Sequence, residues 1–153
     1  MKILLQRVKR ASCKVEEKIT SEIKQGLLLF VGFKEGDNNL IIEQMVKKCI
    51  ELRIFSDENG KMNKSLIDIN GEVLSISQFT LYANCSKGRR PSFDLSENPV
   101  SAKNHYEYFN RYINNIYNID VEEGIFGADM EIELINDGPV TIMLDSDEII
   151  KNK

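Results

Sequence analysis

The residue constellations that commonly carry catalysis are sparse in this chain. Its 153 residues hold one histidine, His105, and three cysteines, Cys13, Cys49 and Cys85. There is no H-E-x-x-H, no phosphate-binding P-loop, no G-x-G-x-x-G after a strand and no G-x-S-x-G elbow. Carboxylates are plentiful, 24 in all, yet none forms a spaced acid/base pair. Asp57-Glu58 and Glu122-Glu123 are neighbours on loop-like segments and read as solvated. The cysteines are odd in number, widely spaced and without a C-x-x-C pair. That argues against a disulfide framework or a structural zinc site, so the expectation is no metal and no cofactor. A hydroxyl or thiol esterase built from Ser77 or Cys85 with His105 stays open, because such a nucleophile needs only one base within reach.

Three stretches do carry a pattern. In Leu74-Ser75-Ile76-Ser77-Gln78-Phe79-Thr80-Leu81-Tyr82-Ala83, strand alternation leaves neither face cleanly apolar. Polar side chains in mid-strand cost stability unless hydrogen-bonded. The stretch is therefore either a half-exposed sheet face or a strand end where Ser77, Gln78, Phe79 and Thr80 converge on a polar ligand. Lys87-Gly88-Arg89-Arg90 is the one local basic cluster. It is either a solvated loop or a clamp in which Lys87, Arg89 and Arg90 hold phosphates. In Asn136-Asp137-Gly138-Pro139, Asp-Gly between two apolar, alternating runs is a hairpin signal. The proline that follows fixes its own φ, removes an N–H and makes the Gly138–Pro139 bond one that can be cis. This stretch is a tight turn closing two strands, or a rigid backbone device presenting Gly138 and Pro139 to a ligand.

The elements that must position these stretches follow from periodicity. Strands are expected at residues 2–8, Cys13–Glu17, Ile19–Ile23, Arg53–Phe55, Glu72–Ala83, Asp129–Ile135 and Val140–Asp145. The unbroken apolar run Leu27–Phe33 suits a central strand buried on both faces. A helix starts near Asn39, with Ile42, Met45, Val46, Cys49 and Ile50 on one face. Asn98-Pro99 reads as an N-cap followed by proline at the first helical position. The second helix it opens places Ala102, Tyr106, Phe109, Ile113 and Ile116 on its buried stripe. His105 reads as a partly exposed helical residue, Ser86–Asn98 as an ordered surface loop, and the charged tail Ser146–Lys153 as fraying. The expected class is α/β with β/β/α layering: a mostly antiparallel, partly closed sheet with two helices on one side.

At this length, with 42% hydrophobic and 29% charged residues, the chain reads as one domain, 1–153, with an ordinary core. No apolar run approaches the roughly 20 residues of a membrane span, and the start reads as a strand rather than a signal peptide. The expected address is the cytosol. A net charge of −4 excludes coating nucleic acid through bulk positive charge, so any RNA contact is local.

With these pieces placed, the sequence closely resembles the D-aminoacyl-tRNA deacylases, also called D-tyrosyl-tRNA deacylases. The likeness is carried by Leu5-Gln6-Arg7-Val8 with Ala11-Ser12, by Arg53-Ile54-Phe55-Ser56-Asp57 with Gly60-Lys61-Met62-Asn63, and by Ser77-Gln78-Phe79-Thr80-Leu81. It continues through Gly88-Arg89-Arg90-Pro91-Ser92-Phe93, Phe126-Gly127-Ala128-Asp129-Met130 and Asn136-Asp137-Gly138-Pro139-Val140-Thr141. One departure is Gly127, where many members carry alanine.

The resemblance implies a cytosolic homodimer that hydrolyses the ester between a D-amino acid, or glycine, and the 3′-terminal adenosine of tRNA. It implies no membrane, DNA or metal partner. Gly138-Pro139 would be a cis dipeptide that one subunit inserts into the other's pocket, capturing the substrate's amino group and excluding an L side chain. Phe79 and Thr80 would border the ester, with the Phe79 N–H an oxyanion donor, and Ala102, Phe126 and Met130 would line the adenosine pocket. Catalysis would rest on the 2′-hydroxyl of the terminal ribose assisting water attack, with Thr80 or Ser77 as nucleophile the alternative. A rival of another class is a non-catalytic module that binds tRNA ends.

Overall fold

One long strand, Lys2–Val15 (β1), is the spine of the molecule, a computed structural model that describes residues 1–151. The sequence suggested two strands with a pause at Lys9-Arg10-Ala11-Ser12. The pause is instead a change of partner. Residues Lys2–Val8 pair antiparallel with Gly26–Gly32 (β3), whereas Ala11–Val15 pair antiparallel with Lys18–Ile23 (β2). Lys9 and Arg10 are exposed at the junction, so no apolar contact is lost there.

Beyond β3 the sheet continues in parallel to Glu72–Ser77 (β6) and then to Val121–Glu123 (β7). Phe55–Ser56 (β4) and Met62–Lys64 (β5) form a separate two-stranded ribbon. On the other side of β1 lies Glu131–Asp145 (β8), antiparallel to it over nearly its whole length. Because β2 curls back toward β6 and β7, the sheet is nearly closed.

β3 is buried on both faces, as its unbroken apolar run predicts. Leu27, Leu29 and Val31 join the core under the helices. Leu28 instead joins Val8, Ala11, Cys13, Ile23, Leu74 and Ile76 in a second core, enclosed by the curled part of the sheet. Two apolar layers flanking one sheet produce the β/β/α arrangement.

Helix α1 spans Asn39–Glu51, with the Asn38 side chain accepting from the Ile41 N–H at 3.0 Å. It buries the five residues expected, Ile42, Met45, Val46, Cys49 and Ile50. Helix α2 spans Pro99–Tyr117; Asn98 caps it by accepting from the Ser101 N–H at 3.0 Å, and Asn118 ends it in the left-handed region at φ 53°. Its stripe differs at the end. Ile116 is 60% exposed, and Tyr117 carries the stripe on against the core. The step from Ile113 to Tyr117 is four residues, which keeps to the buried face as the helix drifts.

Two further expectations fail. The strand expected over Glu72–Ala83 stops at Ser77. Gln78 N–H donates the last rung to the Val31 carbonyl at 2.8 Å, β3 ends one residue later at Gly32, and with no partner left the chain turns into a 3₁₀ helix, Phe79–Tyr82. The tail does not fray as far as Lys151. Ser146–Ile149 forms a short helix (α3) capped by Asp145. The Met1 ammonium, fully buried, bonds Asp37 Oδ1 at 2.8 Å and Ser146 Oγ at 2.6 Å. Asn152 and Lys153 lie outside the described residues.

Candidate active site

The end of β6, the 3₁₀ turn after it, the approach to α2 and the segment before β8 enclose a cleft of about 660 Å³. Of the residues singled out from sequence, Ser77, Gln78 and Phe79 line one wall, Ala102 a second, and Phe126 and Met130 a third. Thr80 stands exposed beside it and is not part of the lining.

The geometry of the turn is set by where β3 runs out. A Cβ on Gly32 would stand 2.8 Å from the Gln78 carbonyl, so glycine is needed for the chain to leave the sheet there. The first N–H groups of a helical turn have no partner within it. Those of Phe79 and Thr80 find none among the described residues. The Phe79 carbonyl accepts from Ser96 Oγ at 3.1 Å, and the Phe79 ring meets Phe93 edge-on at 5.0 Å. The turn is thus held from its carbonyl side with two donors free. Gln78 Nε2 donates to Thr80 Oγ1, and among the described residues no base approaches that hydroxyl.

The opposite wall depends on Gly124, where a Cβ would come within 2.7 Å of Met130 Sδ and 2.9 Å of Ile76 Cδ1. Glycine lets Met130 lie against β6. Behind it, Tyr106 donates from its hydroxyl to the Ser75 carbonyl at 2.6 Å, and its ring lies 6.1 Å from that of Phe126. Burial pushes the Tyr106 phenol above its usual range, so it stays protonated and serves as a brace.

Gly138 and Pro139 are nowhere in this cleft. The hairpin expected around them does not form, because the runs on either side pair with β1 rather than with each other. Gln6 stands opposite Thr141 and Val8 opposite Asn136, which leaves Arg7 alone facing Asp137, Gly138, Pro139 and Val140. The feature is a wide bulge in a single strand. Gly138 has φ +146° and the Gly138–Pro139 peptide is cis. Asn136 closes the base, its Oδ1 accepting from Val140 N–H at 2.8 Å and its Nδ2 donating to Thr141 Oγ1 at 2.9 Å. Arg7 closes the floor, donating to the Asp137 carbonyl at 2.7 Å and the Ile54 carbonyl at 2.6 Å. Gly138 and Pro139 themselves are exposed.

Lys87, Arg89 and Arg90 are exposed at the tip of a loop closed by the Asn84–Ser92 bridge. None lines the cleft, but Phe93, which follows the loop, does. Cys85 is exposed in the same loop and Cys49 is buried, where desolvation pushes its thiol up to about 12. His105 Nδ1 pairs with Glu97 at 2.8 Å, and among the described residues no hydrogen bond joins the imidazole to Ser77 or Cys85, the contact that such an esterase needs. Among the described residues no group of three or more His, Cys, Asp or Glu side chains converges as a metal site requires. Sequence reasoning missed Ser96 and the Glu97–His105 pair; the one available signal was the polar Ser96-Glu97 step directly before the Asn98 cap.

A nearly closed β/β/α domain, with free N–H groups at a strand end and a rigid Gly-Pro bulge, defines a class rather than a single protein. The family model described as D-Tyr-tRNA(Tyr) deacylase matches residues 4–145, and the chain belongs to that family. Among curated relatives, a D-aminoacyl-tRNA deacylase of Thermosipho africanus is 52% identical over 97% of this chain and 99% of its own. One of Dictyoglomus turgidum is 49% identical over 99% and 96%. A solved structure titled c-Myc DNA Unwinding Element Binding Protein superposes with TM-score 0.90 at 39% identity, covering 95% of this chain and 98% of that one. A probable eukaryotic D-amino acid tRNA deacylase has the same fold, with TM-score 0.81 at 16% identity over 94% and 97%.

Proposed function

We propose that this chain hydrolyses the ester between a D-amino acid, or glycine, and the 3′-terminal adenosine of tRNA, acting as a homodimer. Deacylation comes with the family; the parts assigned to single residues are this reading's own. The terminal adenosine enters between Ala102, Phe126 and Met130. The ester lies over the 3₁₀ turn, where the free Phe79 N–H meets the oxyanion as it develops, and Ser77 and Gln78 form the adjoining wall. The ribose 2′-hydroxyl assists the attacking water. An aminoacyl ester is already activated, so orientation and one or two preorganised donors suffice. Lys87, Arg89 and Arg90 take phosphates of the RNA strand at the mouth. The place of action is the cytosol, where charged tRNA is found.

The single observation behind the dimer is a separation. Gly138 and Pro139 are exposed on a rigid mount, while the cleft they are expected to guard is lined by other segments. A second copy brings them together: the bulge of one subunit enters the cleft of the other, its carbonyls accept from the substrate's amino group, and its backbone leaves no room for an L side chain. Exclusion at Cα acts alike on every L-residue, which a side-chain pocket does not. The test is deacylation of D-Tyr-tRNA and L-Tyr-tRNA by the purified chain. Rapid release of D-tyrosine with the L-ester intact is expected; an intact D-ester would leave a tRNA-end-binding module.

A further inference from the structure

Glu97 carries a carboxylate with no part in the function above. It sits between Ser96, which holds the Phe79 carbonyl, and Asn98, which caps α2. Its side chain is 7% exposed although it lines the cleft. Three contacts set its place. The Glu97 N–H donates to the Phe33 carbonyl at 3.0 Å. Glu97 Oε2 stands 2.8 Å from His105 Nδ1; an ionised carboxylate only accepts, so Nδ1–H is the donor. The imidazole in turn lies against the Phe33 ring, centroids 5.6 Å apart.

The second oxygen, Oε1, accepts no hydrogen bond from the described residues. Oε1 is not among the buried unpartnered atoms, so this acceptor stays open to the cleft and to a donor brought by a ligand. His105 lies three residues beyond Ala102 on α2, on the neighbouring turn of the same face. The free oxygen and the Ala102 wall therefore share one part of the cleft.

We propose that Glu97 Oε1 accepts a hydrogen bond from a neutral N–H or O–H donor of the terminal adenosine, which makes Glu97 a specificity-determining residue and His105 its positioning residue. The assignment rests on the function proposed above. A carboxylate repels phosphate but suits the exocyclic amine of adenine or the ribose 2′-hydroxyl. A base with a carbonyl in place of the amine would set lone pair against carboxylate and be rejected.

The test is a binding cycle on the full chain with a hydrolysis-resistant 3′-amide of D-tyrosine and adenosine, and with two matched analogues, one lacking the exocyclic amine and one lacking the 2′-hydroxyl. For the donor that Glu97 engages, its deletion weakens wild-type binding about tenfold and leaves binding to Glu97→Ala unchanged. Coupling to the amine or to the hydroxyl identifies the donor; additivity with both overturns the assignment. Should Glu97→Ala not fold, the isosteric Glu97→Gln runs the same cycle with smaller coupling. His105→Leu, which removes the donor to Oε2, is expected to weaken binding several-fold without changing the rate of the bound ester, and His105→Asn to restore it; equal binding by His105→Leu would remove the positioning role. If the wild-type chain binds no analogue and spares D-Tyr-tRNA, the proposed function falls and Glu97's role falls with it. If it cleaves D-Tyr-tRNA and the cycle is additive, only Glu97's role falls.

Discussion

Arg7 and Asp137 lie 130 residues apart in sequence, and the Arg7 guanidinium donates from Nε to the Asp137 carbonyl across 2.7 Å. The same guanidinium donates from Nη1 to the Ile54 carbonyl at 2.6 Å. Arg7 is nearly buried, and the Asp137 carboxylate also stands 3.9 Å from Nε, so removing the guanidinium leaves two carbonyls and a carboxylate without their partner. Replacing Arg7 by Ala is expected to destabilise the fold by about 2–3 kcal/mol and to raise cleavage of L-Tyr-tRNA relative to D-Tyr-tRNA, because the bulge loses its floor. Arg7→Lys keeps the charge without the fork and should give the same loss of selectivity at smaller cost. Thermal unfolding and the ratio of the two rates check both.

Thr80 is expected to be dispensable. Its hydroxyl is engaged by Gln78 Nε2 and lacks a base among the described residues. Thr80→Ala should keep single-turnover deacylation within about tenfold of wild type. A near-complete loss would return Thr80 as nucleophile.

Action across a dimer is open to complementation. Ala102→Trp fills the cleft. Gly138→Leu breaks the bulge, since its Cβ would meet Val140 Cγ2 at 2.8 Å and the Val140 nitrogen at 2.9 Å. Each variant alone should be inactive or unselective. Mixed subunits should recover about a quarter of wild-type selective activity, because half the dimers are mixed and each of those has one complete site. No recovery would place bulge and cleft in the same subunit.

The basic loop gives a salt-dependent prediction. Arg89→Ala with Arg90→Ala should raise KM for aminoacyl-tRNA, flatten its dependence on salt and leave kcat alone. A fall in kcat at unchanged KM would exclude a phosphate role.

The Lys34–Asp147 pair, 2.6 Å apart, ties α3 to the segment after β3. The bond to Lys34 holds the Asp147 carboxyl below its usual range, and the bond to Asp147 raises the Lys34 ammonium. A depressed carboxylate contributes stability above its unfolded pKa and loses it as pH falls through the folded one. A raised ammonium contributes below its unfolded pKa and loses it as pH rises through the folded one. Asp147→Asn should therefore lower stability near neutrality by well under about 1 kcal/mol, the pair being exposed. The difference should close as pH falls below the ordinary carboxylate range and through the lower folded-state pKa of Asp147, as read by urea unfolding at several pH values.

Local sequence determined much of this protein. The stripe of α1, the Asn38 and Asn98 caps and the double burial of Leu27–Val31 follow from periodicity and cap chemistry, which act within a few residues. The family likeness marked Ser77–Thr80, Phe126, Met130 and Gly138-Pro139. What remained illegible depends on partners far along the chain. Whether Glu72–Ala83 stayed a strand was decided by Gly32, where the neighbouring strand ends. Lys9–Ser12 looked like a break because a change of neighbour and a turn carry the same polar residues. Asp137-Gly138-Pro139 carries the chemistry of a hairpin turn, and only the pairing of both flanking runs with β1 made it a bulge floored by Arg7. Glu97 and His105 meet because Asn98 starts a helix that turns one back over the other. Short-range rules reach the residue types of a site; which of them face one another is decided by sheet pairing and chain ends, whose energies are shared between segments from tens of residues apart, as in β3 and β6, to more than a hundred, as in β1 and β8.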